Sequence, residues 1–479
     1  MHVEAWLPRA ARLRARWPAI ETPRGSLSYA ELHDAARAGA CELAARGAER
    51  GARVAIVLPG GLPFAVALHA CMQLGAVAVP VDVRLAAGER ERLCAGADVV
   101  LEEPLAMAAS AASGSSEPHP GGAVATSADV GLRGHDLDAV AAVIHTSGTS
   151  ADPRPVELTY GNFLWSAIGS AAALDRAAED RWLCALPVAH VGGLSILIRS
   201  AIYATTAVVH PRFDTNAALA ALSGGGVSLI SLVATTLARL LDGGLREPPA
   251  LRCALVGGGP VPGALLERAR EAGVPVSLTY GLTEACSQVS TVPVALARGE
   301  ARELSAGGEG DSGTFVAADA GDGPHAGPPL FCTRVNVASD GEILVAGPTV
   351  APGARAEDGW LHTGDLGELG GDGFLRVRGR KSETIVSGGE NVAPAEVEAV
   401  LEAHPDVLEA AVIGRADERW GEAVTAIVVP RPGATPGNGS LREHCDRRLA
   451  PYKVPKRIEL SSRPLPRTAS GKLLRRRLA

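Results

Sequence analysis

The sequence predicts an α/β protein with largely parallel sheets, and two observations carry that expectation. Short apolar runs rich in β-branched residues alternate with longer segments of Ala, Leu, Arg and Glu, the pattern of strands joined by helical crossovers. Several of those runs end in Gly or Pro, as strand-to-loop turns do. Buried strands are predicted over residues 54–58, 139–145, 227–233, 251–256 and 274–278. Three loops follow such runs: Pro59-Gly60-Gly61, Ser147-Gly148 and Gly257-Gly258-Gly259-Pro260. Ligands of open α/β sheets gather outside the carboxyl ends of strands, so a site is expected first at these loops.

A chain of 479 residues has room for about two or three domains. Its 47% hydrophobic and 21% charged residues describe a globular chain, not a disordered one. The formal charge of −7 argues against broad binding to nucleic acid or anionic membranes through charge alone. The eight cysteines are scattered, with no C-x-x-C pair and no Cys/His cluster at zinc spacing. Met1-His2-Val3-Glu4-Ala5-Trp6 lacks a basic segment followed by an apolar one, so no secretion signal is expected. No apolar stretch reaches the ~18 residues of a membrane span. A soluble cytoplasmic enzyme is the expectation. Residues 108–128 and 301–329, rich in Gly and Ala with Ser, Pro or Asp, are expected as surface excursions. From Phe374 a new alternation begins that could form a small second domain.

Four segments could carry chemistry. In His145-Thr146-Ser147-Gly148-Thr149-Ser150, backbone N–H groups and hydroxyls could cradle phosphate, or the residues could form a plain turn. In Tyr280-Gly281-Leu282-Thr283-Glu284, the Tyr could stack on a base, the Thr bond phosphate and the Glu hold Mg²⁺. Equally, Thr283 could cap a helix with Glu284 in its first turn. Trp360-Leu361-His362-Thr363-Gly364-Asp365 reads as a compact turn whose carboxylate either accepts from ribose hydroxyls or stabilises the turn itself. Pro466-Arg467-Thr468-Ala469-Ser470-Gly471-Lys472 is not a phosphate-binding P-loop, because Pro stands at 466 and Leu473 follows the Lys.

Their order along one chain changes their weight. Thr-Ser-Gly-Thr, Pro187-Val188-Ala189-His190-Val191-Gly192-Gly193-Leu194, Tyr-Gly-Leu-Thr-Glu, Thr-Gly-Asp, Gly379-Arg380 and Ser470-Gly471-Lys472 resemble the motifs of the adenylate-forming superfamily. That superfamily holds acyl-CoA ligases, luciferases and peptide-synthetase adenylation domains, and the resemblance spans nearly the whole chain from Ser28-Tyr29-Ala30-Glu31-Leu32 onward. HVGGLSILIRSAIY at 190–203, LVGGGPVPGALLERA and SGGENVAPAEVEAVLEAHPDV are similar to the o-succinylbenzoate–CoA ligases of menaquinone biosynthesis.

The resemblance implies an α/β adenylate-forming fold. It has a large N-terminal domain of packed sheets, residues 1–380, which binds ATP and acyl group. A smaller, mobile α+β domain, residues 381–479, carries the adenylation lysine. It implies an AMP-forming acid–CoA ligase that uses ATP, Mg²⁺ and CoA as co-substrate. Thr146, Ser147, Gly148 and Thr149, with Arg154, would hold the β- and γ-phosphates. Thr283 would contact the α-phosphate and Glu284 ligate the metal. Tyr280, beside Gly281, would stack on adenine along the Gly257, Gly258, Gly259 loop, and Asp365 and Arg380 would hold the ribose. Lys472 would bridge the substrate carboxylate and the α-phosphate, and His190 would flank the acyl site with Ser287 and Gln288. Ser382 would be the hinge of domain alternation, and Ser387, Gly388 and Gly389 would line the pantetheine tunnel.

The chain departs from the family in its phosphate loop, where Ser150-Ala151-Asp152-Pro153-Arg154-Pro155 replaces a Gly- and Lys-rich stretch. Arg154 keeps a cation that can grip phosphate through two donors, whereas Ala151 and Pro155 restrict the backbone. Ser382 stands where Asp is common. A dianionic acid such as o-succinylbenzoate needs a second cationic or N–H-rich subsite, for which Arg199, Ser287 and Gln288 are candidates. Alternatives within reach of the same motifs are a ligase for another aromatic or aliphatic acid and a stand-alone enzyme loading a carrier protein. The chain ends seven residues after Lys472, so no attached carrier domain is expected. Small-molecule partners are expected and nucleic acid is not; self-association stays open.

Overall fold

The computed structural model describes residues 1–106, 134–146, 153–298, 324–467 and 473–478. The stretch 108–128, part 301–323 of the second loose stretch, and Ser147, Gly148, Thr149 and Lys472 lie outside the described residues.

Two sheets face each other across a layer of helices. The first runs Val99–Leu101, Arg53–Ile56, Val77–Pro80, Val140–Thr146, Arg154–Thr159, parallel except for its last pair. The second has eight strands, in the order Ser287–Thr291, Val276–Leu282, Cys253–Val256, Leu229–Leu232, Arg181–Cys184, Thr206–Val209, Pro18–Thr22, Gly25–Ser28. Its six central strands are parallel and its two edges antiparallel. Parallel strands are buried on both faces, and their side chains alternate between them. Leu229, Cys253 and Leu255 accordingly face the helices Tyr29–Ala45, Leu62–Leu74, Tyr160–Leu174 and Val191–Tyr203 between the sheets. Their neighbours Ile230, Ala254 and Val256 face the opposite layer, Thr215–Gly224, Ala234–Asp242 and Gly263–Glu271.

Local chemistry sets the helix ends. Ser28 caps Tyr29–Ala45 by accepting from the Glu31 N–H, while the Glu31 carboxylate accepts from the Ser28 N–H at 2.8 Å. Such a reciprocal cap stabilises a helix by about 1 kcal/mol. Leu62–Leu74 carries Pro63 in its first turn and stops at Gly75, whose φ of 74° suits a residue without Cβ. Apolar except for His69 and Gln73, that helix is buried on all sides.

A four-stranded antiparallel sheet follows: Arg334–Val337, Glu342–Ala346, Leu361–Leu369 and Leu375–Arg380. After the one-turn helix Lys381–Glu383 comes a further sheet of Glu390–Val392, Ile385–Ser387, Gly421–Pro430 and Val407–Asp417, with Arg457–Leu460 beside Gly421–Pro430. It has its own core, including Val397, Leu401, Val412, Val424 and Leu441. The whole is a mixed α/β protein with a large N-terminal and a smaller C-terminal domain. Among the described residues no helix is long and apolar enough to cross a membrane.

Several expectations need correction. Strand Val276–Leu282 continues past the expected end at 278, through Tyr280 and Gly281. Thr283 caps nothing: it begins a one-turn 3-10 helix, Thr283–Ala285, that has no side-chain cap. Asp365 lies in strand Leu361–Leu369, not in a compact turn, because hairpin pairing with Leu375–Arg380 extends the chain there. Pro155 belongs to edge strand Arg154–Thr159, where a residue without an N–H is tolerated. Residues 324–329 are no surface excursion. Ala326 N donates to Leu375 O at 2.8 Å, and Pro329 bridges Ser290.

Candidate active site

The carboxyl ends of the central strands and the antiparallel sheet meet around Tyr280. Its hydroxyl donates to Asp365 Oδ2 at 2.8 Å. Arg380 Nε lies 2.7 Å from Asp365 Oδ1, the two residues being register partners across the hairpin. Asp365 is buried, and its own N–H donates to Thr363 Oγ1 at 3.1 Å. Burial first, and the Asp365 charge second, push the Tyr280 hydroxyl well above its usual range, so it stays a donor. A paired, oriented carboxylate thus stands beside an aromatic ring at a strand end.

Two close backbone approaches shape this place. A Cβ on Gly281 would lie 1.7 Å from Ser287 O, where the strand pairing is irregular. One on Gly257 would lie 2.7 Å from Thr279 O, whereas one on Gly259 would meet nothing within 4 Å. The Gly257–Gly259 loop is therefore fixed against the strand at one end and open at the other.

Thr283 and Glu284 follow directly, held where Glu284 O accepts from Ala351 N at 2.8 Å. No other described side chain engages the Glu284 carboxylate. Among the described residues no cluster of His, Cys, Asp and Glu forms an all-protein metal cage. The donor set fits Mg²⁺, which is commonly held by one or two carboxylates together with substrate phosphates. Cys286 and Ser287 next adopt positive φ values of 52° and 93°, conformations that cost a non-glycine residue energy and concentrate at functional sites.

Deeper in, Arg199 on helix Val191–Tyr203 is 2% exposed. Its Nη2 donates to Ser166 Oγ at 2.8 Å, and Ser166 in turn donates to Cys286 O at 2.6 Å. Arg199 Nε has no hydrogen-bond partner, and no ion pair within the described residues offers this guanidinium a carboxylate. Burial lowers its pKa from the ordinary 12.5, yet arginine remains charged in proteins. Gln288, also buried, donates to Thr291 Oγ1 at 2.8 Å and leaves its Oε1 unpartnered. His190 precedes the Arg199 helix; burial holds its imidazole below 6.5, with Asp82 pulling the other way.

The remaining expected residues sit on other elements. Thr146 and Arg154 face each other across the end of the first sheet, Thr146 Oγ1 donating to Arg154 O at 3.3 Å. Ser382 is the middle residue of the one-turn helix after the four-stranded sheet. Ser387, Gly388 and Gly389 belong to a tight hairpin turn of the C-terminal sheet, with Gly388 and Gly389 at φ 62° and 86°. Such two-residue turns require positive φ at both positions.

Residues 7–353 match the AMP-binding enzyme family, and residues 396–472 match the AMP-binding enzyme C-terminal domain. The chain belongs to the AMP-binding enzyme family. Within it, the chain is 40% identical to the 2-succinylbenzoate–CoA ligase of Geobacillus kaustophilus, over 99% of this chain and 96% of that protein. It is 37% identical to the Bacillus subtilis ligase of the same name, over 99% and 97%. Among solved structures, it resembles Bacillus subtilis o-succinylbenzoate CoA synthetase holding the acyl-adenylate intermediate, with a TM-score of 0.84 and 34% identity over 100% of this chain and 98% of that one. ATP-bound MatB from Rhodopseudomonas palustris follows at 0.81 and 26% identity, over 99% and 98%.

Sequence reasoning missed the Tyr280–Asp365 hydrogen bond, because the two residues are 85 positions apart. It also missed Ser166, a hydroxyl inside a helix that no motif marks.

Proposed function

We propose that this chain is an AMP-forming ligase that converts 2-succinylbenzoate to its CoA thioester, as the relatives it resembles over their whole length are named to do. The observation that carries the substrate choice is Arg199, a buried cation without a carboxylate partner among the described residues, one helix away from the strained Cys286-Ser287 backbone. A dianionic acid supplies that partner, and a fatty acid does not.

In the first half-reaction a substrate carboxylate oxygen attacks the ATP α-phosphorus. The bond from that phosphorus to the bridging oxygen breaks, and pyrophosphate leaves. In the second, the CoA thiolate attacks the acyl carbon and AMP departs, the thiol proton passing to solvent. Both steps gather negative charge, which cations and N–H donors positioned beforehand stabilise. Thr146, Ser147, Gly148, Thr149 and Arg154 grip the outer phosphates, Thr283 the α-phosphate. Tyr280 packs against adenine beside Gly257, Gly258 and Gly259, and Asp365 with Arg380 binds the ribose hydroxyls. Glu284 holds Mg²⁺, which neutralises phosphate charge when bound. Lys472, carried by domain 381–479, reaches the reacting carboxylate. That domain pivots on Ser382 relative to 1–380, and Ser387, Gly388 and Gly389 line the pantetheine path. His190, Ser287 and Gln288 border the acyl group, and His190 is neutral at pH 7, so it adds no charge there.

The test is thioester formation by purified protein with ATP, Mg²⁺ and CoA, comparing 2-succinylbenzoate with benzoate, a cinnamate and a medium-chain fatty acid. Preference for 2-succinylbenzoate, lost in Lys472→Ala, is expected. Preference for another acid overturns the substrate assignment.

A further inference from the structure

The one-turn helix around Ser382 is tied in two directions. Lys381 Nζ lies 2.6 Å from Asp340 Oδ2 and 3.1 Å from Glu342 Oε2, at the start of a strand of the four-stranded sheet. Two residues on, Glu383 pairs instead with Arg475. Arg475 also grips Glu398, with Nη2 2.7 Å from Oε2 and 2.9 Å from Oε1. Glu398, on helix Pro394–Glu402, is 8% exposed and accepts from Val412 N at 2.7 Å. One guanidinium therefore joins the residue after Ser382 to a buried carboxylate of the C-terminal core.

Arg475 also stands just past the segment 468–472. On its entry side, Arg467 Nη2 lies 2.7 Å from Glu409 Oε2, and Leu465 N donates to Glu409 Oε1 at 2.9 Å. On its exit side, Leu473 bridges Arg467, and Leu474 N donates to Pro466 O at 2.8 Å. Both flanks are thus fastened to the C-terminal sheet, and Arg475 extends the exit fastening to the hinge.

We infer that Arg475 is a positioning residue for acyl-adenylate formation: through Glu383 and Glu398 it fixes the exit of the Lys472 segment to the residue beside Ser382. The inference rests on the proposed roles of Lys472 and Ser382. Rotation about Ser382 then carries with it Arg467 and Leu473, the residues on either side of 468–472. The planar fork of a guanidinium suits this task, since it presents its donors to two carboxylates at angles fixed by the group itself, whereas an ammonium's donors rotate. Its weight falls on the first half-reaction, because only that one uses Lys472.

The plainer alternative is that Arg475 stabilises the C-terminal domain and nothing more, and the two half-reactions separate the cases. Pyrophosphate release is measured in single turnover with ATP, Mg²⁺ and 2-succinylbenzoate. Thioester formation is then measured after CoA is mixed with enzyme preloaded with acyl-adenylate. Arg475→Gln is expected to slow the first rate by roughly tenfold or more, the scale at which misplaced catalytic groups act, and to leave the second within about twofold. Arg475→Lys recovers only part of the loss. Glu383→Gln, which leaves Glu398 paired, shifts the first rate in the same direction and carries the test if Arg475→Gln does not fold. Equal losses in both rates, or none in either, overturn the inference. Lys472→Ala run alongside locates the failure. If it is slow in the first step while the Arg475 and Glu383 variants are not, the positioning role alone falls. If it is not slow, the lysine assignment falls and the inference with it.

Discussion

Asp365 and Arg380 face each other across a β-hairpin, Arg380 Nε 2.7 Å from Asp365 Oδ1, while Tyr280 OH donates to the other carboxylate oxygen at 2.8 Å. Each carboxylate oxygen thus has a donor, which is what makes burying the charge tolerable. Tyr280→Phe keeps the ring but withdraws one donor. It is expected to cost about 1.5–3 kcal/mol of stability, the range for a hydrogen bond to a charged group, and to weaken ATP binding because one of the groups that orients the carboxylate is lost. Urea unfolding and nucleotide titration check both effects. An unchanged nucleotide affinity would separate Tyr280 from the nucleoside site.

The three-glycine loop permits a sharper separation of fold from ligand. Gly259→Ala meets nothing within 4 Å, so stability should hold while ATP affinity falls if the base passes along this loop. Gly281→Ala would place a Cβ 1.7 Å from Ser287 O, a backbone atom that cannot step aside. Its expected cost is about 1–3 kcal/mol or more in unfolding free energy, as for other overpacked sites. Equal unfolding midpoints for the two variants would contradict this geometry.

Acid should act on the fold through two buried histidines that the proposed chemistry does not use. Burial lowers His69 from 6.5 to about 4 and His135 to about 3. His135 accepts from Trp6 N and stacks on Tyr160, and His69 Nε2 has no partner. Both are neutral when folded and take up a proton when unfolded, so their contribution is complete above 6.5 and is lost as pH falls toward 4 and 3. At pH 5 the loss is about 2 kcal/mol per histidine. Comparing urea unfolding at pH 7 and pH 5 in wild type and in His69→Gln checks it, since the variant should lose less on acidification.

Much of the fold is legible in the sequence, as are the segments that meet around Tyr280, and the reasons are physical. The strand at 251–256 and the loop after it announce themselves because a buried parallel strand is a continuous apolar run and its exit needs glycine. Asp365 is marked by its motif, but its local structure is not: a Thr-Gly-Asp triplet looks like a turn, and only pairing with Leu375–Arg380 reveals a strand. The Tyr280 hydrogen bond and the Arg475–Glu383 pair span 85 and 92 positions. Pairings at that separation are made by tertiary folding, and no local pattern encodes them.

The central claim is that a dianionic acid completes the buried Arg199. The direct measurement is kcat/KM for 2-succinylbenzoate against 3-benzoylpropionate, the same acid without its ring carboxylate, in wild type and in Arg199→Met. The account predicts that wild type favours 2-succinylbenzoate by about 10²-fold or more, as sites built for a polar group reject analogues lacking it, and that Arg199→Met abolishes the preference. Equal kcat/KM values in wild type, or a preference that survives in Arg199→Met, would contradict it.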